Sequence, residues 1–278
     1  MRAILFLMIA LLAGCSHLSR DQGDTMKTVT FSPPDWPQTL SADIYMPDQH
    51  GPHDVVLLVH GGGWASRSRH DMDNIAVRLQ REGWLVMNID YRFAPEYIFP
   101  SQLHDVQLAM HWLHDAADDL NINTDRIHAF GYSSGAHLVV LMGLVAGQGG
   151  ELDTPHGGPL TRPHSIVAGG TPTDLRKYSG GRLVTQFVGG DQRTAAAAYA
   201  QASPITHVHG DAPPIFLFHA NRDITVPLDH ATDLTAALQQ QGACVHLHRQ
   251  SFRGHISGFL FRGAAMNDAV AFMRQANC

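Results

Sequence analysis

The stretch "FGYSSGAHLVV", residues 130–140, sets Gly131, Ser133 and Gly135 at alternate positions between two apolar runs. Inside a strand or a helix each glycine costs roughly 0.5–1 kcal/mol relative to alanine. The pattern makes sense at a junction. "RIHAFGY" (Arg126–Tyr132) reads as a buried strand and Ser134–Val145 as a helix, so Ser133 stands on the turn between them. A G-x-S-x-G turn in that context holds its serine in a strained conformation. Side chains two residues to either side would collide with the adjoining strand and helix. The N-terminus of the following helix also favours negative charge in front of the serine. A glycine- and serine-rich turn without chemistry has the same local pattern, so the decision falls to its surroundings.

Outward from that turn, apolar runs alternate with helical patterns. "VVLLVH" (55–60), "WLVMNIDY" (84–91), "SIVAGG" (165–170) and "PIFLFHA" (214–220) have the continuous character of buried parallel strands. "CVHLHRQ" (244–250) alternates, as a strand near an edge does, and "TVTF" and "SADIYMP" read as antiparallel edge strands. Helical patterns span 71–82, 103–117, 134–145, 228–240 and 262–275. This alternation predicts an α/β fold with a mostly parallel central sheet and helices on both faces. Residues 147–163 read as a Gly- and Pro-rich loop, and 174–201 as a small lid over the C-terminal ends of the strands. The chain has 278 residues, 44% hydrophobic and 16% charged, with a net charge of −6. One large domain over 28–278 is expected, and nucleic acid is not the expected partner.

Three companions surround the serine. "HGGGW" (60–64) follows the strand that ends at Val59. Its glycines let backbone N–H groups approach a developing oxyanion, so Gly62, Gly63 and the N–H of Ser134 are the candidate donors. A phosphate-binding loop is disfavoured, because no G-K-[ST] follows. "HANRDITVP" places Asp223 just beyond the strand 214–220, and "RGHISGF" places His255 in the loop after 244–250. A neutral imidazole can take the serine proton while a carboxylate fixes its tautomer. The order Ser133, Asp223, His255 is that of α/β-hydrolases.

With "HGGGW", "DYRFAPE" (90–96) and "GYSSGAHL" on the page, the sequence resembles the α/β-hydrolase esterases related to hormone-sensitive lipase, over roughly Lys27 to the end. That group usually has G-D-S-A-G-G around its serine. Here Tyr132 stands in place of the acid, and "SGAH" is closer to small acetylesterases and kynurenine formamidases. The resemblance implies hydrolysis of short-chain carboxylic esters without a cofactor, with arylformamidase activity as the alternative. Its substrate would be a small-molecule ester.

Other features have blander readings. "DYRFAPE" reads as a structural turn in which Asp90, Arg92 and Glu96 pair, and Asp174 is the rival for the triad acid. Nineteen histidines raise the question of a metal. His246 and His248 share a strand face and His207 and His209 are similarly spaced, yet no H-E-x-x-H or cysteine pair accompanies them. No metal site is expected. His104, His111 and His114 read as a solvated helix face.

The chain begins "MRAILFLMIALLAGCSHLSR". Arg2, the apolar run Ile4–Leu12 and the small residues before Cys15 form a cleaved export signal, too short to span a bilayer. "LAGC" resembles the bacterial lipoprotein signal. Residues 1–14 are therefore expected to be removed, Cys15 to carry lipid, and 15–27 to form a flexible tether. The expected location is the cell envelope, facing the periplasm from the outer membrane. Export would leave Cys244 and Cys278 in an oxidising compartment, where they can pair.

Overall fold

The structure, a computed structural model, describes residues 26–275. Cys15 and Cys278, and with them the lipidation and disulfide expectations, lie outside these residues. Eight strands form one sheet: β1 (Met26–Thr30), β2 (Ser41–Tyr45), β3 (His53–Val59), β4 (Leu85–Ile89), β5 (Ile122–Tyr132), β6 (Ser165–Gly169), β7 (Ile215–Ala220) and β8 (Val245–Gln250). Their spatial order is β1-β2-β4-β3-β5-β6-β7-β8. The first two pairings, β1 with β2 and β2 with β4, are antiparallel, and all the others are parallel.

The parallel arrangement follows from the connecting helices. These are α1 (Asp73–Arg81), α2 (Ser101–Asp115), α3 (Ala117–Leu120), α4 (Ser134–Val145), α5 (Arg182–Val188), α6 (Ala196–Gln201), α7 (Asp229–Gln240), α8 (His255–Leu260) and α9 (Gly263–Gln275). Strands β4, β6 and β7 are buried at every residue, as their unbroken apolar runs require, whereas β8 at the edge is buried only at Val245 and Gln250. Two apolar clusters lie on the two faces of the sheet. One gathers α2 and α4 with Leu57 and Val59, and the other gathers α1 and α9 with Val56 and Leu58. Each side of β3 thus feeds a different core, the period-2 consequence of strand geometry. Helix α4 is buried along its whole length, which explains its apolar run. Among the described residues, no helix is long and apolar enough to cross a membrane.

Residues 147–203 divide into two parts. The first packs against α2, where Gln107 Nε2 donates to Leu152 O at 2.7 Å and Asp153 accepts from the N–H groups of Gly147, Gly149 and Gly158. The second carries α5 and α6, and it reaches the glycine loop after β3. The histidines of α2 form no solvated face. His111 and His114 bond carbonyls of residues 156, 157 and 160, and the His104 ring lies tilted against that of His156, centroids 4.5 Å apart. They are half-buried because the loop they anchor covers them.

Candidate active site

Ser133 occupies the expected turn, with φ 54° and ψ −121°, a left-handed conformation that a residue with a side chain adopts only at a cost. The flanking glycines have steric reasons. A Cβ on Gly131 would lie 2.4 Å from Gly135 C, and one on Gly135 would lie 2.2 Å from Val59 O. The elbow is therefore pressed between its own helix and the end of β3. The Ser133 N–H donates to Gly169 O at 2.8 Å, tying the turn to β6.

The structure brings Ser133, Asp223 and His255 together. His255 Nδ1 donates to Asp223 Oδ2 at 2.6 Å, and His255 Nε2 accepts from Ser133 Oγ at 2.9 Å. The other carboxylate oxygen of Asp223 accepts from the N–H groups of Thr225 and Val226 at 2.9 and 2.8 Å. Burial by itself would raise the Asp223 pKa, but the His255 hydrogen bond and the Val226 N–H outweigh it and hold the carboxyl below its ordinary range. An ionised Asp223 is what the Nδ1–H tautomer of His255 requires. His255 opens α8 and does not lie in a loop, and Tyr132 Oη donates to its carbonyl at 2.5 Å. The side chain that replaces the family acid beside Ser133 therefore anchors the helix carrying the imidazole. Sequence reasoning missed this role, because Tyr132 and His255 are 123 residues apart.

Asp174 lies elsewhere. Its carboxylate binds Arg176 at 2.7 and 2.9 Å, so it is a local ion pair. The expected pairing within "DYRFAPE" is also corrected. Asp90 pairs with Arg69, and Arg92 pairs with the buried Asp105 at 2.8 Å, while Glu96 joins neither. Asp105 lies on α2, 13 residues later in the chain, so the charges serve the packing of helix on strand ends. His248 bonds Asp268 at 2.8 Å, and His246 sets its ring edge against Phe272. His207 and His209 bond the carbonyls of Gln201 and Leu144. Among the described residues, Asp43, His70 and Asp73 come within ligating reach of one another. Arg69 already occupies Asp43 at 2.8 Å, and Tyr45 Oη already donates to Asp73 at 3.0 Å.

The glycine loop sits against the elbow. A Cβ on Gly61 would approach Ser133 Cβ to 3.2 Å. Gly62 has φ +124°, and a side chain there would meet Ser66 O at 2.0 Å. Ala65 N and Ser66 Oγ both donate to Gly62 O, at 3.3 and 3.1 Å, and His60 Nδ1 donates to Gly61 O at 2.5 Å. In a trans peptide the N–H points opposite to the C=O. The N–H groups of Gly62 and Gly63 are therefore turned away from these anchors. Tyr91 Oη lies 3.2 Å from both His60 O and Ser134 Oγ, bridging the loop and α4.

A second brace went unforeseen. Trp64, the last residue of "HGGGW", has φ 59°, and its Nε1–H donates to His137 Nδ1 at 3.2 Å. His137 Nε2 donates to Ala202 O at 2.6 Å, and burial pushes the imidazole down to about 4. Trp64 also stacks on Phe187 of α5 at 4.4 Å, and Leu183 of the same helix covers Gly63. One buried ring thus joins the glycine loop, α4 and α5.

This sheet order, with a serine elbow after β5, an acid after β7 and a histidine after β8, is the α/β-hydrolase fold. Residues 42–238 match the BD-FAE family model, and the chain belongs to that family. It is 30% identical over 205 residues to Esterase LipC of Mycobacterium tuberculosis, covering 70% of this chain and 50% of that one. The chain spans about half the length of the curated relatives it matches. Among solved structures, a truncated carbohydrate esterase from gut microbiota superimposes with a TM-score of 0.80 at 23% identity, covering 91% of this chain and 98% of that one. The apo form of Thermogutta terrifontis esterase 2 gives 0.76 at 20% identity, covering 91% and 95%. These structural likenesses establish the fold.

Proposed function

We propose that the protein is a serine carboxylesterase that hydrolyses short-chain, acetyl-type esters through an acyl-enzyme on Ser133. The observation that carries this reading is the continuous chain Ser133 Oγ, His255, Asp223 at 2.9 and 2.6 Å. The esterase names of the curated relatives support it. In this reading Ser133 Oγ attacks the ester carbonyl as His255 Nε2 takes its proton, and Asp223 steadies the imidazolium. The N–H groups of Gly62, Gly63 and Ser134 stabilise the oxyanion. Collapse expels the alcohol, which takes the proton from His255. Water, activated by the same imidazole, then releases the acid and restores Ser133. No cofactor takes part. "SGAH" resembles small acetylesterases and kynurenine formamidases alike, which makes N-formylkynurenine the natural counter-substrate. The test is a panel of p-nitrophenyl esters of graded chain length beside N-formylkynurenine. A higher kcat/KM on the formamide than on the acetyl ester would overturn the ester reading.

The same reading places the enzyme on the bacterial envelope, tethered through lipid on Cys15 and facing the periplasm from the outer membrane. "LAGC" and the polar stretch after it support this. Several acyl chains anchor firmly where one is marginal, so the parent should remain with membranes through a salt wash. Metabolic labelling with palmitate tests the attachment, and label retained by Cys15→Ala would refute it.

A further inference from the structure

From Cys244 to Arg262 the chain carries three arginines and no carboxylate, although the whole chain has a net charge of −6. In the same region the structure turns apolar side chains outward. Ile224 is 93% exposed and Phe252 83%, while Ile256, Leu260 and Phe261 are 64%, 61% and 61% exposed. These positions are contiguous in space. Arg222 N donates to Arg253 O at 2.8 Å, the Arg222 guanidinium lies 5.3 Å from the Phe252 ring, and that of Arg253 lies 4.9 Å from the Phe261 ring. Helix α8 reverses the usual pattern, with Ile256 and Leu260 one turn apart on its outer side and Phe259 packed inward on Tyr132 at 4.7 Å. Phe252 is further set apart by a φ of 60°, a conformation that a bulky side chain rarely adopts. The backbone is strained where it presents an aromatic ring to solvent. Ile224 and Ile256 each follow a triad residue directly, so the patch borders the mouth of the site.

We propose that this surface docks on an anionic lipid bilayer, with the active-site mouth turned toward the headgroups. Exposed aromatic and aliphatic side chains interleaved with arginines match an interface that is apolar within and negatively charged at its surface. The guanidinium groups lie over the phenyl rings, so charge and apolar surface meet the headgroups together. A soluble partner protein would also accept the apolar side chains. The arginine-rich, nearly acid-free composition selects the anionic surface. The docking is a binding property, read equally on Ser133→Ala, and its outcome is separate from that of the esterase reading.

The first test uses the full chain carrying Phe252→Trp, with Ile224→Trp as a second reporter and Leu160→Trp as a control ahead of β6, toward the opposite end of the sheet. Vesicles of phosphatidylglycerol and phosphatidylcholine with brominated acyl chains should quench the indole at 252 or 224 beyond that at 160. Equal quenching at the three positions would overturn the proposal, whatever holds the protein to the vesicle. The second test is co-sedimentation of Cys15→Ala, which no lipid can tether. Its partitioning should rise with phosphatidylglycerol content and fall with salt. Each arginine at an anionic surface is worth roughly fivefold in partitioning, so Arg222→Gln with Arg253→Gln should cost roughly 25-fold. Phe252→Ser with Phe261→Ser, checked for folding by circular dichroism, should cost about tenfold or more. Partitioning unchanged by both pairs would overturn the idea. So would a concentration-dependent dimer, abolished by Phe252→Ser, in a protein that ignores vesicles.

Discussion

His255 and His137 are two imidazoles on opposite sides of the Ser133 elbow, and their surroundings give them opposite work. His255 has a carboxylate on one nitrogen and a hydroxyl on the other, so it can accept a proton and be steadied once it has done so. His137 accepts from an indole N–H and donates to a backbone carbonyl, and its burial keeps it neutral. A proton on His137 would have to displace the Trp64 hydrogen bond. The first ring is built to change charge and the second to keep it. The side of the elbow that carries His255 is therefore a continuous polar chain, whereas the region behind the glycine loop is a closed aromatic brace.

The largest expected effect breaks the first of these regions. Ser133→Ala and His255→Ala should each lower kcat on the order of 10⁶, and the double variant should be no worse, because the two act as one unit. Asp223→Asn should cost about 10⁴ by favouring the wrong tautomer. Asp174→Asn should stay near the parent rate, since its carboxylate faces Arg176 and not His255. A dead Asp174→Asn beside an active Asp223→Asn would reverse the assignment of the acid.

His137→Gln probes the second region. It removes the ring that accepts from Trp64, so the glycine loop loses one tie to α4 and keeps the one through Tyr91. We expect kcat to fall about 10²-fold with KM little changed, in the range for an oxyanion donor lost or displaced. A lower Tm with kcat intact would show that the brace stabilises the fold without positioning the donors.

The pH dependence of stability sharpens the contrast. The His137 pKa is depressed to about 4 in the folded state, against an ordinary 6.5. The unfolded chain therefore binds this proton first as pH falls, and stability is lost between about pH 6.5 and 4. The loss attributable to such a group is on the order of 3 kcal/mol across that window. Chemical denaturation at pH 7 and pH 4.5 should show a smaller difference for His137→Gln than for the parent. An identical difference would remove His137 from the account. Asp223 acts in the same direction at lower pH, because its folded pKa lies below the ordinary value and its stabilisation disappears as pH falls through it.

Among the changes expected to cost rate or stability, Tyr91→Phe should have the smallest effect. It deletes the hydroxyl between His60 O and Ser134 Oγ and leaves the ring stacked on His60 at 4.4 Å. Loss of a net hydrogen bond suggests about 1 kcal/mol of stability, with a modest loss of rate. Urea denaturation measures it, and a loss above about 3 kcal/mol would mean that the hydroxyl supports more than these two contacts.

The sequence by itself determined the elements and the chain order of Ser133, Asp223 and His255. Helix 134–145 is reproduced residue for residue, and the strands agree to within a few residues, because unbroken apolar runs and glycine positions are local signals of buried strands and a tight elbow. Ser133, Asp223 and His255 were legible because each follows a strand, and a parallel sheet gathers strand ends at one edge whatever fills the segments between. Tertiary structure alone decided what those segments do. Arg92 finds Asp105 and not its neighbours in "DYRFAPE", and the α2 histidines are partly covered by a loop some 45 residues later in the chain. Trp64 meets His137 across 73 residues, and Tyr132 meets the His255 carbonyl across 123. Periodicity records which face of an element is apolar. The partner of a lone polar side chain depends on how helices and loops pack across the sheet, a choice set by long-range close packing that leaves no periodic trace in the chain.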